Sequence, residues 1–276
     1  LMISINFNLG IGKSVVISIN NFVNKAREIG YEAILYTKNI SIIIILIFLL
    51  FFLLKNFFEY NFLDFYEFTT YLFLGSIITV FFITFEGILQ GNRKFKIISI
   101  SNLLFFSLSI SLPSILLAYD KSLTLKDLIG ISIFIKFFSV IIMFLMIKKY
   151  NLYKKSDGQI LLKNLKKNSK WITLNSMLVQ FYDLFDKYLI KFFLGPVAVA
   201  TYSIPQQLTG KLSIISKSFS AYLLPDLSKK KIDNQNFNFS LIIFMNVIPI
   251  IIFLLFPLYP SILNFWLGNS YNDTIH

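Results

Sequence analysis

Several ionisable side chains lie inside long apolar runs of this sequence, where a helix facing lipid would carry none. They are Lys136, Lys187, Lys191, Lys211 and Lys217, together with Glu86, Asp183 and Asp186. A charge inside a bilayer is costly, so such residues usually face a bundle interior or water and mark a pathway or a site. Because the lysines outnumber the acids, the chemistry that they predict is the binding of an anion.

Two consecutive predicted helices each gather polar residues on one face. On the first, an arc of roughly 80° at about 100° per residue holds Thr173, Ser176, Gln180, Asp183, Lys187 and Lys191. On the second, an arc of roughly 100° holds Tyr202, Gln206, Thr209, Gly210, Ser213, Lys217 and Ser220, with Lys211 off the arc. Two such faces predict the walls of a water-filled cavity, with Gln180, Asp183, Gln206 and Ser213 in its polar lining.

The same residues also allow a purely structural interpretation. Asp183 precedes Lys187 by four residues, the better order for an ion pair within one helix, and Lys191 could extend to the membrane interface. Small hydroxyl residues are common at helix contacts in membranes. That interpretation leaves the other lysines unexplained. Lys136, near the middle of its run and beside Ser132 at helical spacing, has no obvious acidic partner on its own helix.

Glu86 begins a series with Gln90 and Lys94 in which each residue follows the last by four positions. Such a series is typical of a capped helix end anchored at the interface. The alternative is an ionisable gate or a group that couples transport to an ion, a role open to Asp183 and Asp186 as well.

The rest of the chain must supply helices that position these residues in a membrane. Of its 276 residues, 56% are hydrophobic and 14% are charged, against about 25% charged in soluble domains, and the mean hydropathy is +0.70. About 20 apolar residues cross the hydrocarbon as a helix. After an incomplete run ending near Gly12, seven runs reach that length: approximately 38–58, 68–89, 97–119, 125–147, 171–194, 199–224 and 239–260. We predict an all-α, polytopic membrane protein.

Basic residues in the connections predict the orientation of these helices. Every second connection is rich in Lys and Arg, at 13–38, 93–96, 148–170 and 229–231, while the alternate connections hold only Lys55, Lys121 and Lys126. The positive-inside rule assigns the basic set to the cytoplasm. The net charge of +12 therefore indicates topology and contact with anionic lipid headgroups, and we expect no nucleic-acid partner.

Most metal and cofactor chemistry has no residues to use here. The chain has no Cys, and its single His is His276. No phosphate-binding glycine loop, zinc-protease motif or serine nucleophile with a base is present, so we expect no cofactor, no metal and no catalytic residue. We expect no secretory leader, and a start inside an apolar run is what we expect of a fragment.

Four stretches resemble the Wzx-type polysaccharide-biosynthesis flippases, which share a superfamily with lipid II flippases and with multidrug and toxic-compound exporters. They are NLGIG (Asn8–Gly12), FEGILQGNRKF (Phe85–Phe95), KWITLNSMLVQFYDLFDKYLIKFFLGPVAVATYSIPQQLTGKL (Lys170–Leu212) and LLPDLS (Leu223–Ser228). The most specific part is the order W…DKYxI…FLG…YSI…LLP. The resemblance implies two six-helix lobes around a central cationic cavity. We expect residues 1–150 to form the first lobe without its first helix, 151–170 a basic cytoplasmic linker, and 171–276 the start of a second lobe without its C-terminal helices.

The function implied by this resemblance is transport of an O-antigen or capsule unit on undecaprenyl pyrophosphate, from the cytoplasmic to the periplasmic leaflet of the bacterial inner membrane. By position, Lys136, Lys187, Lys211 and Lys217 match the family's cavity lysines, and H⁺ or Na⁺ could drive the cycle. A polysaccharide polymerase and a chain-length regulator are the implied protein partners. Two alternatives remain open: a cation-coupled multidrug antiporter of the same superfamily, and a membrane-embedded polymerase.

Overall fold

A computed structural model describes residues 10–54, 63–119, 122–155 and 159–227, with scattered positions from 242 to 261. The described residues form helices and no strand. The helices are α1 (Ile11–Asn21), α2 (Ala26–Leu54), α3 (Leu63–Gly91), α4 (Phe95–Asn102), α5 (Ser109–Tyr119), α6 (Leu125–Lys149) and α7 (Gln159–Leu227). A π-helix at Leu103–Leu108 joins α4 to α5, and short 3₁₀ turns lie at Val23–Lys25 and Phe256–Leu258.

Four helical segments in the described part of the chain are long and apolar enough to cross a membrane: Val23–Leu50, Thr69–Gly91, Phe95–Tyr119 and Leu125–Lys149. They correspond to the first four predicted runs, which confirms the prediction of an all-α, multi-pass membrane protein. Within these segments many apolar side chains, such as Leu46 and Phe134, are exposed to the surroundings. That exposure is what a lipid-facing surface requires.

The predicted start of the first complete span, at residue 38, is wrong by about three helical turns, because α2 begins at Ala26. Charged residues suggested a connection there, yet Ile29 and Ala33 are fully buried against neighbouring helices. Glu32, on the same stretch, is buried too. Tertiary packing therefore keeps this polar segment helical.

The two predicted helices from Trp171 onward form one long element, α7, interrupted at Gly195. Gly195 has φ 85° and ψ 175°, a conformation that a residue with a Cβ adopts only under strain. The two parts of α7 are not among the four apolar segments found in the described part of the chain. The predicted run 239–260 lies largely outside the described residues.

The chain divides into two compact units, Leu1–Gln180 and Phe181–His276. The sequence placed the division in the connection 151–170, whereas α7 already begins at Gln159. Leu165 and Ser169 are buried, and Leu165 belongs to the hydrophobic core of the first unit. The start of α7 therefore belongs to the first unit, and the predicted lobe boundaries stay a prediction.

Glycines let the helices at the centre of the first unit approach closely. A Cβ placed on Gly87 of α3 would lie 2.5 Å from the carbonyl oxygen of Gly12 on α1. At Gly10, where φ is 59°, a Cβ would lie 2.8 Å from the Thr173 nitrogen on α7. Small residues permit such backbone contacts between membrane helices. Two stretches that carry the resemblance, around Gly12 and Gly87, therefore form one helix crossing.

Candidate functional site: a cavity that ends at Lys136

The first unit contains a cavity of about 240 Å³ between α3, α5 and α6. Its walls are mostly apolar. The polar lining comes from Tyr71, Ser109, Ser114, Ser132 and Lys136. Along α6 the lining runs from Leu125 to Lys136, which corresponds to roughly 16 Å at about 1.5 Å per residue. The cavity is therefore elongated, with Lys136 at its inner end.

The opposite end of the cavity lies near a connection that the basic-residue pattern places outside the cytoplasm. Leu117, shortly before the end of α5, and Leu125, the first residue of α6, both line it. The long axis of the cavity therefore runs from that predicted outer surface toward the middle of the membrane, where the sequence placed Lys136.

Lys136 is half-buried, and its ammonium lies 5.4 Å from the centre of the Phe105 ring. No acidic side chain in the described part of the chain forms an ion pair with it. A cation over an aromatic face gains about 0.5–2 kcal/mol, which is less than the cost of removing an ammonium from water. The contact with Phe105 therefore does not by itself offset the burial of a charged Lys136, and an anion or water in the cavity would complete its stabilisation.

Two of the three serines that line the cavity already use their hydroxyl protons. The Ser109 hydroxyl donates to the Phe105 carbonyl, and the Ser114 hydroxyl donates to the Ile110 carbonyl at 2.9 Å. Ser139, which stands at helical spacing from Lys136, is buried and donates to the Ser101 carbonyl at 3.2 Å. Of the two serines that flank Lys136, only Ser132 lines the cavity.

Two stacked aromatic rings lie beside Lys136. Phe82 on α3 and Phe105 in the π-helix stack with 3.8 Å between ring centres, and both are almost completely buried. Single-turn π-helices often occur at functional sites because the wider turn redirects side chains. Pro113, which lines the cavity on the following helix, lacks the N–H that would donate to the Ser109 carbonyl. The irregular backbone of this segment therefore coincides with the inner part of the cavity.

Glu86 faces a neighbouring helix. It is half-buried, and its Oε1 accepts a hydrogen bond from Nδ2 of Asn102 on α4 at 3.1 Å. The end of α3 is closed instead by the backbone, with the Lys94 N–H donating to the Leu89 carbonyl at 2.9 Å. The Lys94 ammonium lies 4.6 Å from the centre of the Tyr150 ring. Lys94 thus lies at the helix end with its ammonium over an aromatic ring, whereas Glu86 bonds to Asn102 on α4.

Two residues of the predicted polar face on α7 form hydrogen bonds within their own helix. Thr173 and Ser176 donate to carbonyls of their own helix, those of Ser169 and Ile172, at 2.7 and 2.9 Å. This is the structural role that the sequence left open for them.

In the second unit, Asp186 and Lys187 are half-buried and Lys191 is exposed. Among the described side chains no ion pair involves these three residues. Gln206 is half-buried. The side chains of Gln180, Asp183, Lys211, Ser213 and Lys217 lie outside the described part of the structure. The cavity shared by both predicted polar faces, and the Asp183–Lys187 pair, therefore stay predictions.

Sequence reasoning missed Asn102 and the Phe82–Phe105 pair near the site, and it missed the buried acid Glu32 on α2. Asn102 was visible as a lone amide in an apolar run, and Pro113 among serines marked an irregular helix. The stacked phenylalanines carried no signal, because Phe is abundant throughout the chain. Glu32 was overlooked because its segment was assigned to a connection.

Comparison with known proteins identifies related sequences. The family described as "Polysaccharide biosynthesis protein" matches over residues 1–231. A "Putative O-antigen transporter" from Shigella flexneri is 28% identical over 194 residues, which are 67% of this chain and 45% of the relative. The chain thus spans less than half the length of that relative. No solved structure gives a significant match.

Proposed function

The chain belongs to the polysaccharide biosynthesis protein family, and we propose that, within its complete gene product, it transports a polysaccharide precursor across a membrane. The family match over residues 1–231 carries this proposal. In finer terms, the cargo is an O-antigen or capsule unit on undecaprenyl pyrophosphate. It moves from the cytoplasmic to the periplasmic leaflet of the bacterial inner membrane by alternating access.

Lys136 supplies the cation that such a cargo needs. A phosphate-bearing lipid must bring negative charge into a low-dielectric region, where a unit charge pair at about 4 Å gains roughly 4 kcal/mol at an effective dielectric constant near 20. Lys136 has no acid paired with it among the described residues, so its charge is not already neutralised. Lys187, Lys191, Lys211 and Lys217 of the second unit would be further cations for the same cargo.

The size of the Lys136 cavity supports contact with only a small part of the cargo. A volume of about 240 Å³ lies below the roughly 300–1,000 Å³ of ordinary small-molecule pockets. Its mostly apolar lining offers few partners for sugar hydroxyls. The part of the cargo that suits it is a charged group with a short stretch of attached hydrocarbon, which leaves the sugars outside this cavity.

The protein acts as a transporter in this proposal and carries out no covalent step. Its surroundings are the membrane lipids, and a polysaccharide polymerase and a chain-length regulator would receive the exported unit. Gln180, Asp183, Gln206 and Ser213 would contribute polar contacts along the path.

The test replaces Lys136 in the complete gene product, in a strain that lacks its own transporter for the same unit. Lys136→Ala should reduce export of surface polysaccharide by roughly 10- to 100-fold, because a hydrogen bond to a charged group is worth about 1.5–3 kcal/mol. Lys136→Arg should retain most of the export. Lys149→Ala, which removes an exposed lysine from the same helix, is the matched control.

Two results would count against the proposal. Normal export by Lys136→Ala at wild-type protein abundance would remove Lys136 from the path. Failure of the unaltered protein to restore export, together with resistance to cationic drugs, would favour the antiporter.

A further inference from the structure

Glu86 and Asn102 form a half-buried polar pair that cargo binding does not use. Asn102 Nδ2 donates to Glu86 Oε1 at 3.1 Å. The other end of the same amide, Asn102 Oδ1, is buried and has no hydrogen-bond partner. A buried acceptor left without a donor costs about 1–3 kcal/mol, so this amide is only half satisfied.

The missing donor matches one protonation state of Glu86. An ionised carboxylate only accepts hydrogen bonds, whereas a protonated carboxyl group has one O–H to donate. With a proton on Oε2, Glu86 can donate to Asn102 Oδ1 while Oε1 accepts from Nδ2, which closes a ring of two hydrogen bonds. If the nitrogen and oxygen of the Asn102 amide are exchanged, an amide oxygen faces Glu86 Oε1. A hydrogen bond between those two oxygens also requires one proton on Glu86.

Charged groups on the surrounding helices do not supply an alternative partner. Helix α3 packs against α1, α2, α4 and α6. Five lysines near the predicted cytoplasmic ends of those helices are exposed: Lys13, Lys38, Lys96, Lys148 and Lys149. Lys94 lies over Tyr150, Lys136 lies over Phe105, and Glu32 on α2 is an acid, so it cannot pair with Glu86 as a cation would. No ion pair to Glu86 occurs among the described residues.

The Glu86–Asn102 pair lies on two of the segments that line the cavity, beyond the cavity's inner end. On α3 the order is Gly75 at the cavity, then Phe82 in the aromatic stack, then Glu86. On the opposite segment the order is Ser109, Phe105 and Asn102. Glu86 and Asn102 each lie about one helical turn, roughly 5 Å, beyond the stacked rings. The aromatic stack therefore separates the Lys136 cavity from the Glu86–Asn102 pair.

We propose that Glu86 and Asn102 form a proton-binding site in which the carboxyl–amide ring closes when Glu86 is protonated and opens when the proton leaves. A proton from water forms the O–H bond at Oε2, and the same bond later breaks to return the proton to water. If the transport function proposed above holds, this site makes the proton the ion that couples to cargo movement.

The proton can be observed directly by infrared spectroscopy of the purified protein in lipid, without any transport. A protonated carboxyl group gives a carbonyl band that ionisation removes. We expect such a band at acidic pH, its loss in Glu86→Gln, and a shift in Asn102→Leu, which breaks the ring. Glu32→Gln is the matched control and should leave this band in place. Glu86→Gln should fold normally, because its amide can donate to Asn102 Oδ1 as the acid does.

Three results separate the possibilities. A spectrum in which Glu86→Gln removes no carbonyl band at any accessible pH overturns the proton site. Carboxylate bands that respond to Na⁺ and not to pH overturn it in favour of a metal cation. A band that behaves as expected, with export insensitive to the pH gradient, retains the site and removes only its coupling to transport.

Discussion

Replacing Gly87 by Ala tests the close contact between α1 and α3. The new Cβ would lie 2.5 Å from the Gly12 carbonyl oxygen and 2.7 Å from its Cα. Both atoms are backbone, so no side chain can rotate away. Restoring an ordinary 3.4 Å separation requires the helices to move apart by about 0.9 Å.

The cost follows from overpacking a tight contact, typically about 1–3 kcal/mol. Alanine favours a helix over glycine by about 1 kcal/mol, which partly offsets that cost. Gly130→Ala on α6 makes the same chemical change where no atom lies within 4 Å of the added Cβ. The propensity gain is common to both variants, so their difference of about 1–3 kcal/mol isolates the steric contribution.

The free energy of unfolding can be measured in mixed micelles by circular dichroism, with both variants in the same lipid and detergent. We expect Gly87→Ala to be the less stable of the two, and Gly130→Ala to equal or exceed the unaltered chain. Equal stability of the two alanine variants would show that α1 and α3 do not meet at these glycines, and the helix crossing described above would be wrong.

Three further changes test other contacts. Thr37 and Thr84, whose hydroxyls lie 2.7 Å apart between α2 and α3, should show a coupling of only about 0.6 kcal/mol in a double-mutant cycle with valine. Each hydroxyl has one proton, which it can donate to its own helix instead of to the other threonine. A coupling above about 1.7 kcal/mol would contradict this. Thr124→Ala removes the capping box with Asp127 at the start of α6 and should lower stability by about 0.5–2 kcal/mol, as measured by thermal unfolding; unchanged stability would contradict the cap. Phe105→Ala should lower the free energy of unfolding by about 3–5 kcal/mol, because it removes the buried ring that stacks on Phe82. The exposed Phe134→Ala is the control, and an equally large decrease there would mean that burial of Phe105 is not the cause.

The sequence drew attention to Lys136 and to Glu86 for different reasons. A lysine in the middle of an apolar run is informative by itself, because the bilayer penalises it wherever the helix lies. The cavity that it lines could not be predicted, since Gly75, Pro113 and Ser132 come from three helices. Glu86 looked like part of a helix end, because spacing along one helix cannot show that Asn102 on another helix faces it.

The sequence by itself determined that this protein consists of membrane-spanning helices. Hydrophobic run length answers that question locally, because each helix satisfies its own backbone in lipid. It also identified the charged residues that a membrane must accommodate. The tertiary structure decided which of them meet: Gly12 against Gly87, Lys136 beside the stacked phenylalanines, and Glu86 against Asn102. Such pairs depend on how neighbouring helices rotate and cross, and that arrangement is set by contacts between residues far apart in the chain.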